Sequence, residues 1–278
     1  MSYQIDQNYY DLVENLSSLD AEAISKKVKA LSELLVSNPR ETKRRDLISK
    51  IIDLTPDKNI KILDYGCGGG QTVIYLRLLG YDVTGICLTP KEKAQSISTA
   101  FNLGDDIFHV YDGKKLPFES GEFDLIFSEQ VLEHVMDLEE YYSESARVLK
   151  SGGRSYFSFP QRFIPFDTHT NLWFVHYFPA SLRDFLYKSL GKDVGYINKI
   201  LNFKTTSEHR GLALSFYQKF ENQTANRLID SSKDSLEHYE GPRKIRAAVN
   251  FVLQVPYVGR LLANLLCHLS NADILLKK

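Results

Sequence analysis

The sequence has few cysteines, and this scarcity argues against both a disulfide framework and a cysteine-based zinc site. Among 278 residues there are three cysteines, Cys67, Cys87 and Cys267, which are widely spaced and form no Cys-x-x-Cys pair. An odd, scattered set indicates neither a disulfide framework nor a cysteine-based zinc site. We therefore expect a reducing, cytoplasmic location and assign no metal ligand.

The chain also lacks a long uninterrupted apolar run. Its most apolar stretch, residues 247–267, is broken by polar residues and by Pro256 and Gly259, so it is too polar to span a bilayer. The N-terminus lacks the basic start and apolar middle of a signal peptide, and no export is expected. Basic residues in 242–268 leave two interpretations: a packed helix with a basic edge, or a weak peripheral contact with a membrane.

Neither sign of charge is in excess. The chain has 34 Lys and Arg against 35 Asp and Glu, which gives a formal net charge of -1. Because nucleic-acid binding depends on neutralising phosphates, no nucleic-acid partner is expected. Hydrophobic residues make up 43% of the chain, enough for a soluble enzyme with one large α/β domain or two small ones.

Short β-rich segments alternate with helix-compatible segments from residue 60 onward. The predicted strands are 60–65, 81–88, 105–111, 123–129 and 153–160, and the predicted helices are 70–79, 90–102 and 137–149. This alternation is typical of a doubly wound α/β fold, in which crossover helices connect a mainly parallel sheet.

The remaining segments are predicted from weaker patterns. Residues 1–58 have apolar residues at helical spacing. An aromatic-rich segment after residue 160 leads into polar helical material up to about 240, and residues 271–278 are predicted to form a last strand. Apart from residues 271–278, no sixth or seventh strand is placed.

A glycine-rich turn follows the first predicted strand. Gly66, Gly68 and Gly70 stand at alternate positions, and the first of them is two residues after Asp64. Glycine at such a turn lets the backbone bend sharply or come close to a ligand. The dinucleotide fingerprint would require a third glycine where this chain has Gln71, so a pyrophosphate cradle is disfavoured.

Four sequence blocks occur in order between residues 60 and 160: DYGCGGG, DGKKLPFESGEFD, SEQVLEHV and GGRSYFSFP. They are similar to the acidic-x-GxGxG signature, the third-strand region, the segment after strand four and the fifth strand of one family. In this order they resemble the class I, Rossmann-like S-adenosylmethionine-dependent methyltransferases of type 11/12. The resemblance implies a seven-stranded sheet and S-adenosyl-L-methionine as cofactor.

The resemblance also implies roles for individual residues. Asp64 would orient the amino-acid end of the cofactor and Glu129 would face its methionine end. Asp112 would accept a hydrogen bond from the adenine amino group, and the Gly113 amide would reach the ring. The implied cofactor-binding residues are Asp64, Gly66, Cys67, Gly68, Gly70, Cys87, Leu88, Thr89, Asp112, Gly113 and Glu129.

One position departs from the family pattern. The second strand of the family usually ends with an acid that binds both ribose hydroxyls, and Cys87 stands at that place. A thiol is a poor acceptor for such bonds. Thr89 or a residue of the N-terminal helices is the alternative ribose partner.

Two histidines and an aspartate are candidates for catalysis. His134 follows strand four, whereas His169 lies in the aromatic segment two residues after Asp167. A neutral imidazole, with an ordinary pKa near ~6.5, can take a proton from a hydroxyl. Asp167 and His169 are spaced so that both side chains lie on one side of an extended segment, as a base and its orienting acid. Each histidine is alternatively a structural residue.

The aromatic segment PFDTHTNLWFVHYFP has a looser similarity to methyltransferases associated with surface-polysaccharide synthesis. Aromatic faces beside histidines and an acid suit a sugar, which stacks on rings and needs hydrogen-bond acceptors. The alternative is an aromatic strip of the core.

The sequence therefore predicts a methyltransferase that acts on oxygen of a small molecule or of a sugar or glycoconjugate. The alternatives are a protein that binds S-adenosylmethionine without catalysis and an NAD-dependent oxidoreductase. The predicted regions are 1–58 (N-terminal lid helices), 59–160 (cofactor-binding core), 161–240 (substrate-side insertion) and 241–278 (last helix and strand of the same domain). The identity of the acceptor molecule and the oligomeric state are not predicted.

Overall fold

The computed structural model describes residues 3–38, 42–233 and 251–278. The helices are α1 (Gln4–Glu14), α2 (Ala21–Ser37), α3 (Arg45–Leu54), α4 (Gln71–Leu78), α5 (Glu92–Ala100), α6 (Leu138–Val148), α7 (Ala180–Ser189), α8 (Val194–Ile200), α9 (Thr206–Ala213), α10 (Thr224–Lys233) and α11 (Val258–Leu266). The strands are β1 (Lys61–Tyr65), β2 (Asp82–Cys87), β3 (Phe108–Val110), β4 (Phe123–Glu129), β5 (Leu149–Phe159), β6 (Phe166–Asp167), β7 (Leu172–Trp173), β8 (Lys219–Asn222) and β9 (Ala272–Lys277).

Seven of the described strands form one mixed, mostly parallel sheet in the order β3-β2-β1-β4-β5-β9-β8, while β6 and β7 form a separate antiparallel pair. The predicted Rossmann-like α/β fold is confirmed. The chain divides into two compact units. The first unit contains residues 1–127 and 147–153, and the second contains residues 128–146 and 154–278.

The first unit is built on parallel strands. β1 pairs with both β2 and β4, and β2 pairs with β3. Ile62 and Leu63 of β1 are fully buried, as expected for a strand covered on both faces. The N-terminal helices predicted over 1–58 are α1, α2 and α3, and their role as a lid stays a prediction.

A polar contact fixes α1 against α4 in this unit. The buried Asp6 accepts hydrogen bonds from the Tyr75 hydroxyl at 2.8 Å and from Gln71 Nε2 at 3.1 Å. The backbone amide of Lys43 donates to the other carboxylate oxygen at 2.8 Å. Gln71, which replaces the third glycine of a dinucleotide fingerprint, therefore positions the helix that follows the glycine turn.

The second unit contains the antiparallel part of the sheet. β9 lies between β5 and β8 and is antiparallel to both. The prediction of helical material throughout the segment before residue 240 was wrong for Lys219–Asn222, which forms β8. Four residues show no distinguishing period, and their pairing with a distant strand decides the conformation. Tyr217, just before β8, bonds the hydroxyls of Ser145 at 2.7 Å and Ser155 at 2.9 Å.

The C-terminal segment has the predicted helix and last strand, α11 and β9. The basic residues predicted to line the helix edge at 242–250 lie outside the described residues. Leu261 and Leu265 of α11 are exposed, and a weak peripheral membrane contact stays one of the two interpretations of this segment. Within the described ranges, no helix is long and apolar enough to cross a bilayer.

Candidate active site

The loop between β1 and α4 turns over the end of β2. The amides of Gly66 and Cys67 both donate to the Ile86 carbonyl, at 2.9 and 3.0 Å. Gly66, Gly68 and Gly70 have φ angles of 99°, 50° and 79°, in the left-handed region that residues with a Cβ avoid. The backbone path itself therefore requires these glycines.

The glycines of this loop differ in the space around them: one packs against other residues and two face open space. A Cβ at Gly70 would lie 2.8 Å from the ring of Phe108, so this position is closed by packing. A Cβ at Gly68 or Gly69 would meet no described atom within 4 Å. The middle of the loop is thus bare backbone facing open space.

Polar groups surround the loop within the first unit. Asp64 is buried at the end of β1. Burial raises the pKa of the Cys67 thiol, and the neighbouring Asp64 charge raises it further. The Cys87 thiol donates to the Thr89 carbonyl at 2.9 Å, while the Thr89 hydroxyl accepts from Lys91 Nζ at 3.1 Å. Burial therefore keeps the Cys67 thiol protonated in the loop, while Cys87 is the last residue of β2.

The turn after β3 brings Asp112 and Gly113 to the surface. The amides of Lys114 and Lys115 donate to Asp112 Oδ1 at 2.8 and 3.1 Å. The bond from Lys114 lowers the pKa of the Asp112 carboxyl most, so this exposed group is ionised. A Cβ on Gly113 would lie 3.2 Å from the exposed Leu88 side chain, which places the loops after β2 and β3 side by side.

The remaining predicted cofactor residue and the predicted bases belong to the second unit. Glu129 is the half-buried last residue of β4. Asp167, in β6, is fully buried and contacts three side chains. The Thr170 hydroxyl donates to its Oδ2 at 2.6 Å, His176 Nε2 lies 3.1 Å from the same oxygen, and His169 Nδ1 lies 3.1 Å from Oδ1.

These bonds determine the charge of the Asp167 and His169 pair. Burial alone would raise the pKa of Asp167, but the bonds from His169, His176 and Thr170 outweigh it and hold the pKa far below its usual range. The bond to Asp167 raises the pKa of His169. When His169 is neutral, Nδ1 donates to the carboxylate and the lone pair is on Nε2.

A second buried carboxylate lies beside both candidate histidines. Glu133 Oε1 is 3.9 Å from His134 Nε2 and 4.0 Å from His169 Nε2. Neither Glu133 oxygen has a hydrogen-bond partner among the described residues, and burial raises the pKa of this carboxyl to about 7. His134 Nδ1 is 3.0 Å from the Ile200 carbonyl. The structure thus brings His134, His169 and Asp167 into one cluster.

A polar cavity of about 240 Å³ lies in the same unit. Its lining includes His176, Arg183, Tyr187, Asn198 and Asn202. The Tyr187 hydroxyl is buried and makes no hydrogen bond with the described part of the chain.

The aromatic segment is largely a surface feature. Trp173 is 65% exposed and Phe174 is 50% exposed, whereas Val175 is buried. The rings of Phe166 and Trp173 are 5.1 Å apart. The alternative of an aromatic core strip therefore does not describe Trp173 and Phe174.

Comparison with known proteins gives a consistent result for the segment that contains the glycine turn. Residues 63–157 match the family model described as a methyltransferase domain. This segment is a class I S-adenosylmethionine-dependent methyltransferase domain. It includes the glycine loop, the Asp112 turn and the Glu133 and His134 pair.

The relatives of the methyltransferase domain differ in the reactions for which they are named. Norajmaline N-methyltransferase of Rauvolfia serpentina is 36% identical over 108 residues, which are 37% of this chain and 37% of the relative. Ubiquinone biosynthesis O-methyltransferase of Bartonella quintana (strain Toulouse) is 35% identical over 104 residues, 37% of this chain and 42% of the relative. The matches thus span less than half of these relatives.

A solved structure resembles a larger part of the chain. Geranyl diphosphate methyltransferase, solved in complex with S-adenosylmethionine, has a TM-score of 0.51 and 16% identity, and the alignment covers 89% of each chain. At this identity the similarity concerns the fold alone.

The methyltransferase domain fits the cofactor of its family at the loop. An adenosine compound without phosphates needs a close backbone approach and nearby polar groups. The open face of Gly68 and Gly69, the buried Asp64 and the ionised Asp112 meet these needs. The Cys87 thiol donates to the Thr89 carbonyl, and its part in binding the ribose stays a prediction.

Sequence reasoning missed two polar residues of the cluster: Glu133 and Thr170. Glu133 stands beside the selected His134 in LEHV, but an acid in a charged helical segment is usually solvated. The missing signal was its burial, which depends on residues distant in the chain.

Proposed function

We propose that this protein is a methyltransferase that uses S-adenosyl-L-methionine to methylate a small molecule. The observation that carries the proposal is the bare backbone at Gly68 and Gly69 within a methyltransferase domain. When bound, the cofactor supplies an activated methyl group. The protein then has to hold the cofactor, align the acceptor and exclude water.

The residues proposed to hold the cofactor belong to the three strand ends described above. The backbone of Gly66–Gly70 would lie against it, with Asp64 orienting its amino-acid end and Asp112 accepting from the adenine amino group. Thr89, whose hydroxyl is at the surface beside Lys91, is the proposed ribose partner in place of Cys87.

We infer that the acceptor atom is oxygen and that the acceptor is polar, such as a sugar or glycoconjugate. The polar cavity lined by Arg183, Tyr187 and Asn198 and the exposed rings of Trp173 and Phe174 support a hydroxyl-bearing ligand. The names of the relatives include an N-methyltransferase and an O-methyltransferase, which supports the small-molecule class.

Oxygen is a better nucleophile when its proton is removed during the reaction. His169 is the proposed base, because Asp167 fixes its ring and leaves the Nε2 lone pair available. His134, held through Nδ1 by the Ile200 carbonyl, is the second candidate.

Calorimetry with S-adenosylmethionine, S-adenosylhomocysteine and NAD tests the cofactor. We expect saturable one-to-one binding of the first two and none of NAD. Tight NAD binding with no response to S-adenosylmethionine or S-adenosylhomocysteine would contradict the proposal and favour an oxidoreductase.

Transfer of a labelled methyl group to a panel of sugars, phenols, amines and carboxylic acids tests the acceptor. We expect label on oxygen, released as methanol or a methyl ether fragment on chemical cleavage. Label on nitrogen or carbon would contradict the oxygen assignment. Cofactor binding without turnover on any acceptor class would favour the non-catalytic alternative.

A further inference from the structure

We propose that Glu133, His134 and His169 form a binding site for one divalent first-row transition cation, such as Zn²⁺, Fe²⁺ or Mn²⁺. The inference goes beyond methyl transfer, since neither cofactor binding nor the acceptor assignment requires a metal. All three residues belong to the second unit.

The three donor atoms already converge. One ligand atom from each residue lies within 4.8 Å of the others, and Glu133 Oε1 is 3.9 and 4.0 Å from the two Nε2 atoms. Metal bonds of about 2.0–2.2 Å at tetrahedral angles require ligand atoms roughly 3.3 Å apart. The two Glu133–histidine distances would have to shorten by about 0.6–0.7 Å, and the distance between the two Nε2 atoms, at most 4.8 Å, by up to about 1.5 Å.

The ring orientation of both histidines presents the correct nitrogen. A backbone carbonyl accepts only, so the contact of His134 Nδ1 with the Ile200 carbonyl places the proton on Nδ1. His169 Nδ1 likewise donates to the Asp167 carboxylate. In the neutral form of each ring the lone pair is therefore on Nε2, the nitrogen that lies 3.9 or 4.0 Å from Glu133 Oε1. Metal-binding histidines typically have such an outer partner on the second nitrogen.

Glu133 supplies an independent observation. Its side chain is 0% exposed, and neither of its oxygens has a hydrogen-bond partner among the described residues. A buried carboxylate without partners is costly and rare. A cation bound between the three residues would compensate for the lost hydration.

The site has an outer support and an entry route. Asp167 is fixed by Thr170 and His176 while it holds His169, so the orientation of that ligand does not depend on the metal. The His134 side chain is 42% exposed and that of His169 is 24% exposed. A hydrated cation can therefore reach the histidines from solvent while Glu133 stays buried.

The donor set defines the class of cation. Two imidazoles and one carboxylate suit zinc and the neighbouring transition metals, whereas Mg²⁺ and Ca²⁺ prefer oxygen donors alone. Three protein ligands leave at least one position for water or another ligand. Because a lone pair that binds a metal cannot accept a proton, the histidines act as bases only in the metal-free protein.

Titration of the tag-free, chelator-treated protein with Co²⁺ tests the site directly. We expect visible d–d absorption that saturates at one equivalent, displacement of Co²⁺ by Zn²⁺, and no displacement by a large excess of Mg²⁺. Absence of saturable Co²⁺ or Zn²⁺ binding at pH 7.5 would overturn the proposal.

Three variants localise the binding. Glu133→Gln keeps the shape of the side chain and His134→Ala alters an exposed ring; each should weaken Zn²⁺ binding at least tenfold in calorimetry. His268→Ala removes another exposed histidine of the second unit and should leave binding unchanged. Circular dichroism checks that each variant folds. If Glu133→Gln does not fold, His134→Ala decides the outcome. Unchanged affinity in His134→Ala would overturn the assignment, as would one-equivalent binding lost in His268→Ala.

Discussion

Gly68 and Gly152 form a matched pair at the scale of single residues. Both belong to the first unit, both have positive φ angles of 50° and 77°, and a Cβ at either position would meet no described atom within 4 Å. Valine would therefore strain the backbone at both positions. Only at Gly68 would the side chain occupy the proposed cofactor surface.

We expect Gly68→Val to weaken S-adenosylmethionine binding more than tenfold, a loss of over about 1.4 kcal/mol. Both valine variants should lower the free energy of unfolding to a similar degree, and Gly152→Val should leave the affinity for S-adenosylmethionine unchanged. Calorimetry measures affinity and urea unfolding measures stability. Equal affinity in the two variants would place the cofactor away from the loop.

His209 predicts a pH dependence of stability. Burial lowers its pKa to about 4, and its Nδ1 lies 2.9 Å from the Tyr142 hydroxyl. The unfolded chain, with a histidine pKa near ~6.5, binds the proton more readily. The contribution of His209 to the free energy of unfolding is therefore fully present above pH 6.5. It is lost as the pH falls toward 4, by about 3 kcal/mol in total.

The variant His209→Gln lacks this titration and retains an acceptor for Tyr142. Its free energy of unfolding, measured by urea at several pH values, should fall less than that of the unmodified chain between pH 6.5 and 4. Parallel curves would show that His209 is not the group responsible.

At the scale of elements, two glycine-to-alanine changes should have opposite signs. In β2, a Cβ on Gly85 would lie 2.9 Å from Cys67 Cβ and 3.0 Å from Phe108 Cδ1, so overpacking should cost about 1–3 kcal/mol. In α9, Gly211 is exposed and a Cβ there meets no described atom within 4 Å.

Gly211→Ala should therefore stabilise by up to about 1 kcal/mol, because alanine favours helix. Urea midpoints of the two variants give the comparison. A stable Gly85→Ala variant would mean that the loop can move away from β2.

The elements that the sequence predicted are those with their own local signal. β1 and β4 are apolar runs bounded by turn residues, and α4 follows a glycine cap. β8 carried no such signal, since its four residues become a strand only by pairing with β9. The glycine loop was similarly local, whereas the approach of Glu133 to His169 depends on a fold that joins positions far apart in sequence.

At the scale of the whole molecule, cofactor binding should raise the melting temperature. A ligand at 100 times its dissociation constant stabilises the native state by about 2.7 kcal/mol, which for a chain of 278 residues is roughly 5 °C. Differential scanning calorimetry should show this shift with S-adenosylmethionine and none with NAD. The Gly68→Val variant should show little shift at the same concentration. A shift with NAD alone would contradict the proposed cofactor.

The position of β9 has a consequence for biosynthesis. β9 pairs with both β5 and β8, yet its residues, Ala272–Lys277, are translated well after the residues of those two strands. While the ribosome is still adding the intervening segment, β5 and β8 have no shared neighbour to pair with. Until β9 is synthesised, the nascent second unit therefore exposes unpaired strand edges. We expect a chaperone that shields such edges to matter most during this period.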